Sequence, residues 1–208
     1  MNEGLVAHYR LAGSAQDLSG HENHGEICGA PLSIANRHGE SDSGLDFCFP
    51  GDHVLIEDSE SLKVTDQLTL AAWVKTRSLH LGRIVNKWEG GRRTCAYNLG
   101  VDNLSQVWFE LSGGDSQNGQ ILVQIERSFI NNWHHIAGTF DGHQMKLYLD
   151  GQLVAMTAYS ATLNQADIPV YIGTGDGECF LFCGAVDDVR IYNVTLDDQQ
   201  IAELAAID

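Results

Sequence analysis

The sequence predicts an all-β fold, an antiparallel two-layer sandwich closed by one short C-terminal helix. Three observations carry this. Short runs of alternating apolar and polar residues recur roughly every ten residues, bounded by Gly, Asp and Asn. Helical periodicity is nearly absent until the end of the chain. Hydrophobic residues make up 43% of the 208, enough to fill a core between two layers. No linker, low-complexity tract or internal repeat interrupts the chain, so residues 1–208 read as a single domain.

The elements follow in order. LTLAAWVKT (68–76) places Leu68, Leu70, Ala72 and Val74 on one face. QVWFEL (106–111) places Val107, Phe109 and Leu111 on one face, with Trp108 and Glu110 on the other. MKLYLDG (145–151) places Met145, Leu147 and Leu149 together, with Lys146 and Tyr148 opposite. Asp141-Gly142 and Asp150-Gly151 each sit between extended runs, and Asp-Gly suits a tight primed turn. GAVDDVRIY (184–192) groups Ala185, Asp187, Val189 and Ile191 on one face, and Val186, Asp188, Arg190 and Tyr192 on the other. The helix is LDDQQIAELAAI (196–207). Asp197 and Gln200 form a capping box, Leu196 and Ile201 a hydrophobic staple, and Ile201, Leu204 and Ala205 a stripe that docks on the sandwich.

Composition excludes some functions. Against 12 basic side chains there are 28 acidic ones, a formal net charge of -16. Such a surface repels phosphate backbones and anionic lipid, so no nucleic-acid partner is expected. No run approaches the roughly 20 apolar residues that span a bilayer, so no membrane insertion is expected, and the start lacks a signal-peptide pattern. The five cysteines leave at least one thiol unpaired. Cys28 with Cys48 is a possible pair. Cys179 and Cys183 read as extended, about 13 Å apart, too far for a disulfide.

Residues 17–25 read DLSGHENHG, in which Leu18 alone is apolar. Three readings are open: a polar turn, a zinc site on His21 and His24, or a loop around a hard cation. Zinc wants three or four compact N/S ligands, which this stretch does not supply. Calcium takes six to eight oxygens, for which Asp17, Asn23 and turned-in carbonyls are suitable donors. Asp187 adds a clue from the far end. Grouped with Val189 and Ile191, it needs a cation or several hydrogen-bond donors. The adjacent His134 and His135 fall on a strand, so their rings face opposite ways.

Four segments in this order, GLVAHYRLAGSAQDLSGHENHG, LTLAAWVKT, WHHIAGTFDGHQMKLYLDGQLVA and GAVDDVRIYNVTLDDQQIAEL, resemble the laminin-G-like jelly-roll domain of the concanavalin A-like lectin/glucanase superfamily. The resemblance runs from about Gly4 to Ile207. It implies a two-sheet antiparallel jelly roll, service as a carbohydrate-binding or adhesion module, and a structural calcium ion. First and last strands lie close in such domains, which would bring Asp17 and Asn23 to Asp187 as the metal ligands. It also implies an extracellular or cell-surface setting within a larger multidomain protein. One departure is FCFPGDHV, with Cys48 and Phe49 where relatives often carry Asp-Gly.

A polysaccharide or glycoconjugate needs flat aromatic faces and planar polar groups. Trp108, Glu110 and Tyr148 are the candidates to line such a site, with Trp88 and Arg92 or Arg93 as a rim. The alternative covers Trp108 with a loop and packs Trp88 on one. Trp73 and Trp133 occupy family core positions and read as packing. No catalytic role is expected. The E-x-D-x-x-E pattern of related glucanases is absent, VQIERS has Glu126 where a lyase would need His, and no nucleophile elbow occurs. The alternatives are a structural or protein-interaction domain, or a divergent polysaccharide lyase or hydrolase.

Overall fold

Alternating runs became strands. The computed structural model describes residues 2–47, 49–78, 80–88, 95–113 and 118–206. Its strands are β1 (Leu5–Tyr9), β2 (Gly25–Cys28), β3 (Leu32–Ile34), β4 (Gly44–Phe47), β5 (His53–Ile56), β6 (Leu68–Thr76), β7 (Gly82–Trp88) and β8 (Cys95–Val101). Then come β9 (Gln106–Leu111), β10 (Gly119–Gln124), β11 (His134–Phe140), β12 (Gln144–Leu149), β13 (Gln152–Ala158), β14 (Val170–Ile172) and β15 (Gly184–Tyr192), followed by helix α1 (Asp198–Ala206). The first sheet runs β13-β12-β11-β6-β15-β4-β3, with β1 also on β15; the second runs β10-β9-β8-β7-β14-β5-β2. Every one of these pairings is antiparallel.

The core lies between the sheets and follows the alternation read from sequence. Leu68, Leu70, Ala72 and Val74 of β6 meet Val107, Phe109 and Leu111 of β9 and Met145 and Leu147 of β12 in one buried cluster. Gly138 lets the layers close. A Cβ there would stand 2.5 Å from the Phe109 ring, so this strand must be bare where the opposite sheet presents its aromatic.

The alternation of β15 fails at one residue. Pairing with β6 jumps from Asp187↔Trp73 to Arg190↔Ala71, which inserts an extra residue. Asp188 takes that place with φ of 49°, a left-handed conformation that Asp tolerates better than most residues. The bulge turns Val186, Val189 and Ile191 to the core. Asp187 therefore faces outward beside Trp73, not inward with the aliphatics, which corrects the face assigned from sequence.

The second hairpin is as expected: Asp150 and Gly151 both have positive φ, a primed two-residue turn. The first differs. Residues 141–143 form a three-residue loop in which Gly142 alone is left-handed, and the Asp141 carboxylate accepts from the amides of His143 and Gln144. Helix α1 starts on the expected capping box. Asp197 accepts from the Gln200 amide at 2.8 Å and Gln200 accepts from the Asp197 amide at 2.9 Å. Its Ile201 and Leu204 pack with Leu196, Tyr148 and Ala137 on the outer face of the first sheet. No helix of the described residues is long and apolar enough to cross a membrane.

Candidate ligand-binding face

The loop 17–25 is built around a carboxylate, not around histidines. Asp17 Oδ1 accepts from the amides of His8 and Ser19, each at 2.9 Å. Its Oδ2 accepts from the Ser19 hydroxyl at 2.8 Å and the Asn23 amide at 3.0 Å. Burial works against the charge, but these four donors outweigh it and hold the carboxyl below its ordinary range. The Asn23 side chain donates to the Val6 carbonyl and Ser61, and accepts from Ser59. His24 Nδ1 accepts from the Asp17 amide.

Asp187 and Asp188 meet cations of the chain itself. Arg37 donates from Nη1 to Asp187 at 2.6 Å and reaches Asp188 at 3.4 Å. Asp188 also takes His8 Nε2 at 2.7 Å and Arg190 Nε at 2.9 Å. Burial opposes ionisation of Asp188, yet the His8 hydrogen bond and the Arg190 charge draw its carboxyl far below the usual range. Beside this cluster Trp73 faces outward, with the Arg37 guanidinium over its ring (5.2 Å) and the buried His135 ring tilted against it at 57° (5.5 Å). Burial pulls His135 down to about 4, so its ring is neutral at pH 7. Trp73 packs as expected, but outside the core.

Asp17, Asn23 and Asp187 thus do not fit a calcium site. The oxygens of Asp17 and Asn23 are engaged by N–H and O–H donors, and Asp187 is matched by a guanidinium. Calcium would need those oxygens for itself. Among the described residues no group of three or more His, Cys, Asp or Glu is arranged to hold a metal ion. Cys28, Cys179 and Cys183 are free thiols. Cys48, and the pairing suggested for it, lies outside the described residues.

The four residues expected to line one ligand site divide between the sheets. Tyr148 is on the outer face of the first sheet, beneath α1, where its hydroxyl donates to Asp198 at 2.8 Å. Trp108, Glu110 and Trp88 belong to the second sheet. Alternation shows which residues share a face of a strand, but not which sheet the strand joins. Arg92 and Arg93 lie outside the described residues.

On the second sheet register brings two polar rows to the outer face. One crosses Tyr171, Asn86, Asn98, Glu110 and Gln120; the other crosses Arg83, Gly100, Trp108 and Leu122. The missing side chain of Gly100 makes room for the indole: a Cβ would stand 2.7 Å from the Trp108 ring. Trp108 is consequently only 4% exposed, and its Nε1–H has no acceptor among the described residues. Asn98 is fully buried with neither amide atom partnered there. Leaving such groups unpaired costs about 1–3 kcal/mol each, so they are positions where a ligand or water would be stabilising.

Leu81, Arg83, Asp102, Trp108, Glu110, Gln120, Leu122 and Phe180 enclose a pocket of about 250 Å³ here. Burial pushes the Glu110 carboxyl up, against a hydrogen bond from Asn118 and the nearby charge of Arg83. Arg83 Cζ stands 5.1 Å from the Trp88 ring centroid and 4.7 Å from that of Phe180. Phe180 holds φ of 55°, a strained backbone for a bulky residue, and its ring is 42% exposed. Sequence reasoning missed Arg83 and Phe180. The signal available was an Arg in an otherwise apolar strand start, GRIV, and an aromatic ending the Gly-rich GTGDGECF.

The larger pocket on the first sheet, about 360 Å³, is lined by His8, Arg37, Asp187, Asp188 and Arg190 among others. Its carboxylates are paired with His8, Arg37 and Arg190, although Trp73 Nε1 and His135 Nδ1 beside it also have no partner among the described residues.

Solved structures share the fold. The binding domain of Paraclostridial Mosquitocidal Protein 1 superposes with a TM-score of 0.79 at 16% identity, covering 98% of this chain and 52% of that one. The receptor binding domain of botulinum neurotoxin C/D mosaic serotype gives 0.78 at 13%, covering 99% and 52%. The botulinum neurotoxin serotype D ligand binding domain in complex with N-acetylneuraminic acid gives 0.78 at 14%, covering 99% and 51%. At these identities the likeness establishes fold, and the chain spans about half the length of each. No curated protein sequence matches the chain. Residues 50–202 match the laminin G family model described as the concanavalin A-like lectin/glucanases superfamily.

Proposed function

Because the chain belongs to the concanavalin A-like lectin/glucanases superfamily, we propose that it is a non-catalytic carbohydrate-binding module and that its binding face is the outer surface of the second sheet. The observation that carries this is the pocket lined by Arg83, Trp108, Glu110, Gln120 and Phe180, with the rings of Trp88 and Phe180 against the Arg83 guanidinium. Aromatic faces pack against the C–H side of a sugar ring, while planar amide, carboxylate and guanidinium groups read its hydroxyls. Similarity to a ligand binding domain solved with N-acetylneuraminic acid supports a glycoconjugate partner, and coverage of half such chains supports a place within a larger, extracellular protein. The first sheet's ion cluster takes the tethering role that calcium was expected to fill.

A saccharide panel of neutral, uronic, sialylated and sulfated members tests the reading. Selective binding is expected, weakened at least tenfold by Trp88→Ala and by Phe180→Ala with the melting temperature preserved. Equal response to every member would remove the lectin function. Release of reducing ends or unsaturated products from any of them would overturn the non-catalytic assignment.

A further inference from the structure

Arg83 differs from the other shielded arginines. Arg37 is paired with Asp187 and Arg190 with Asp188, and even the exposed Arg77 is paired with Asp46. Arg83 is 9% exposed, on a chain of net charge -16, and its guanidinium makes no hydrogen bond or ion pair among the described residues. Local structure maintains this state. The Arg83 amide donates to the Phe180 carbonyl at 3.0 Å, which seats the Phe180 segment on the start of β7. Gly82 permits that approach: a Cβ there would stand 2.8 Å from Phe182 Cα. The Phe180 and Trp88 rings then contact the guanidinium.

A guanidinium against aromatic rings keeps its N–H edge for an acceptor, and its fork matches a carboxylate through two parallel hydrogen bonds. Glu110 is close enough to interact electrostatically but not to pair, and Asn118 binds one of its oxygens. Asp102 accepts from the amides of Leu104 and Gln106 and so closes its own turn. The carboxylates within the pocket are thus committed elsewhere.

We propose that Arg83 receives the carboxylate of an acidic sugar, a uronic or sialic acid residue, with Trp88 and Phe180 flanking it. This rests on the glycan reading above and names its ligand class. The Trp108 N–H, buried on the pocket wall without an acceptor among the described residues, supplies a further donor to the same ligand. Carboxylate recognition gives the strained Phe180 backbone a purpose, since that conformation places the ring on Arg83.

The test uses matched pairs: polygalacturonate against its carboxyl-reduced polymer, and sialyllactose against lactose, by calorimetric titration of the full chain. At least one acidic member should bind at least tenfold more tightly than its neutral match, with affinity falling as salt rises. Arg83→Gln should erase that preference while leaving the melting temperature within a few degrees, because the Arg83 side chain makes no hydrogen bond or ion pair among the described residues and its backbone bond to Phe180 is kept. Glu110→Gln should strengthen acidic binding by removing a negative neighbour. If reduced polymer and lactose bind as tightly as their acidic partners, or if Arg83→Gln keeps the preference, the acidic-sugar assignment falls and the lectin reading survives. If no saccharide of either kind binds, both fall. A sulfated saccharide bound in preference to every carboxylate also overturns the assignment.

Discussion

Asp188→Asn is expected to cost about 3–5 kcal/mol and to lower the melting temperature by on the order of 10 °C. One buried carboxylate here meets His8, Arg37 and Arg190. Removing its charge leaves the Arg190 guanidinium, which cannot shed its proton, without its carboxylate, and removes the second contact of Arg37, which keeps Asp187. Asn tolerates the left-handed backbone almost as well as Asp, so the loss reports the charge and not the turn. Asp188→Gly should lose as much, although it relaxes the φ of 49°. The same linkage appears in pH. A carboxyl held below its usual value contributes stability that is complete above the ordinary value of 3.8 and is lost as pH falls below it. The variant should therefore show a shallower acid limb. A melting temperature within 3 °C of wild type would show that the cluster contributes little.

The second large effect is at Asp17. Asp17→Ala removes one acceptor from four donors and should destabilise by about 3 kcal/mol, more than a typical point substitution. Hydrogen bonds to a charged acceptor are worth more than neutral ones, although these four are not additive. Because the donors are the chain's own amides and a hydroxyl, added calcium should not restore the loss. Wild-type melting should likewise be unchanged by millimolar calcium or EDTA. A drop with EDTA, or rescue of the variant by calcium, would reinstate the metal staple.

These two aspartates show where sequence was legible and where it was not. The strands of 68–76, 106–111 and 145–149 followed from period-two alternation because a core on one side punishes any slip of register. The terminal helix followed from its capping box. The face of Asp187 did not follow, because one left-handed residue at 188 inverts the alternation and nothing in GAVDDVRIY marks it. Its partner, Arg37, is 150 residues away in sequence. Asp17 was singled out as a metal ligand, whereas its carboxylate accepts from the chain's own amides and a hydroxyl; a carboxylate that binds amides and one that binds a cation use the same residue types. Trp108 and Glu110 were placed on the right face of their strand. Tyr148 was grouped with them because alternation carries no information on sheet membership.

The account's central claim is that ligand binds on the outer face of the second sheet. The four tryptophans make this directly measurable, since Trp88 and Trp108 lie on that sheet, Trp73 lies on the other and Trp133 immediately precedes β11 of the other. Their indole N–H resonances, assigned by single Trp→Phe variants, can be followed during titration with the tightest saccharide. The expected result is movement of Trp88 and Trp108, the latter downfield as its N–H gains an acceptor, with Trp73 and Trp133 unchanged. Movement of Trp73 with Trp88 and Trp108 fixed would place the ligand over the ion cluster of the first sheet and contradict the account.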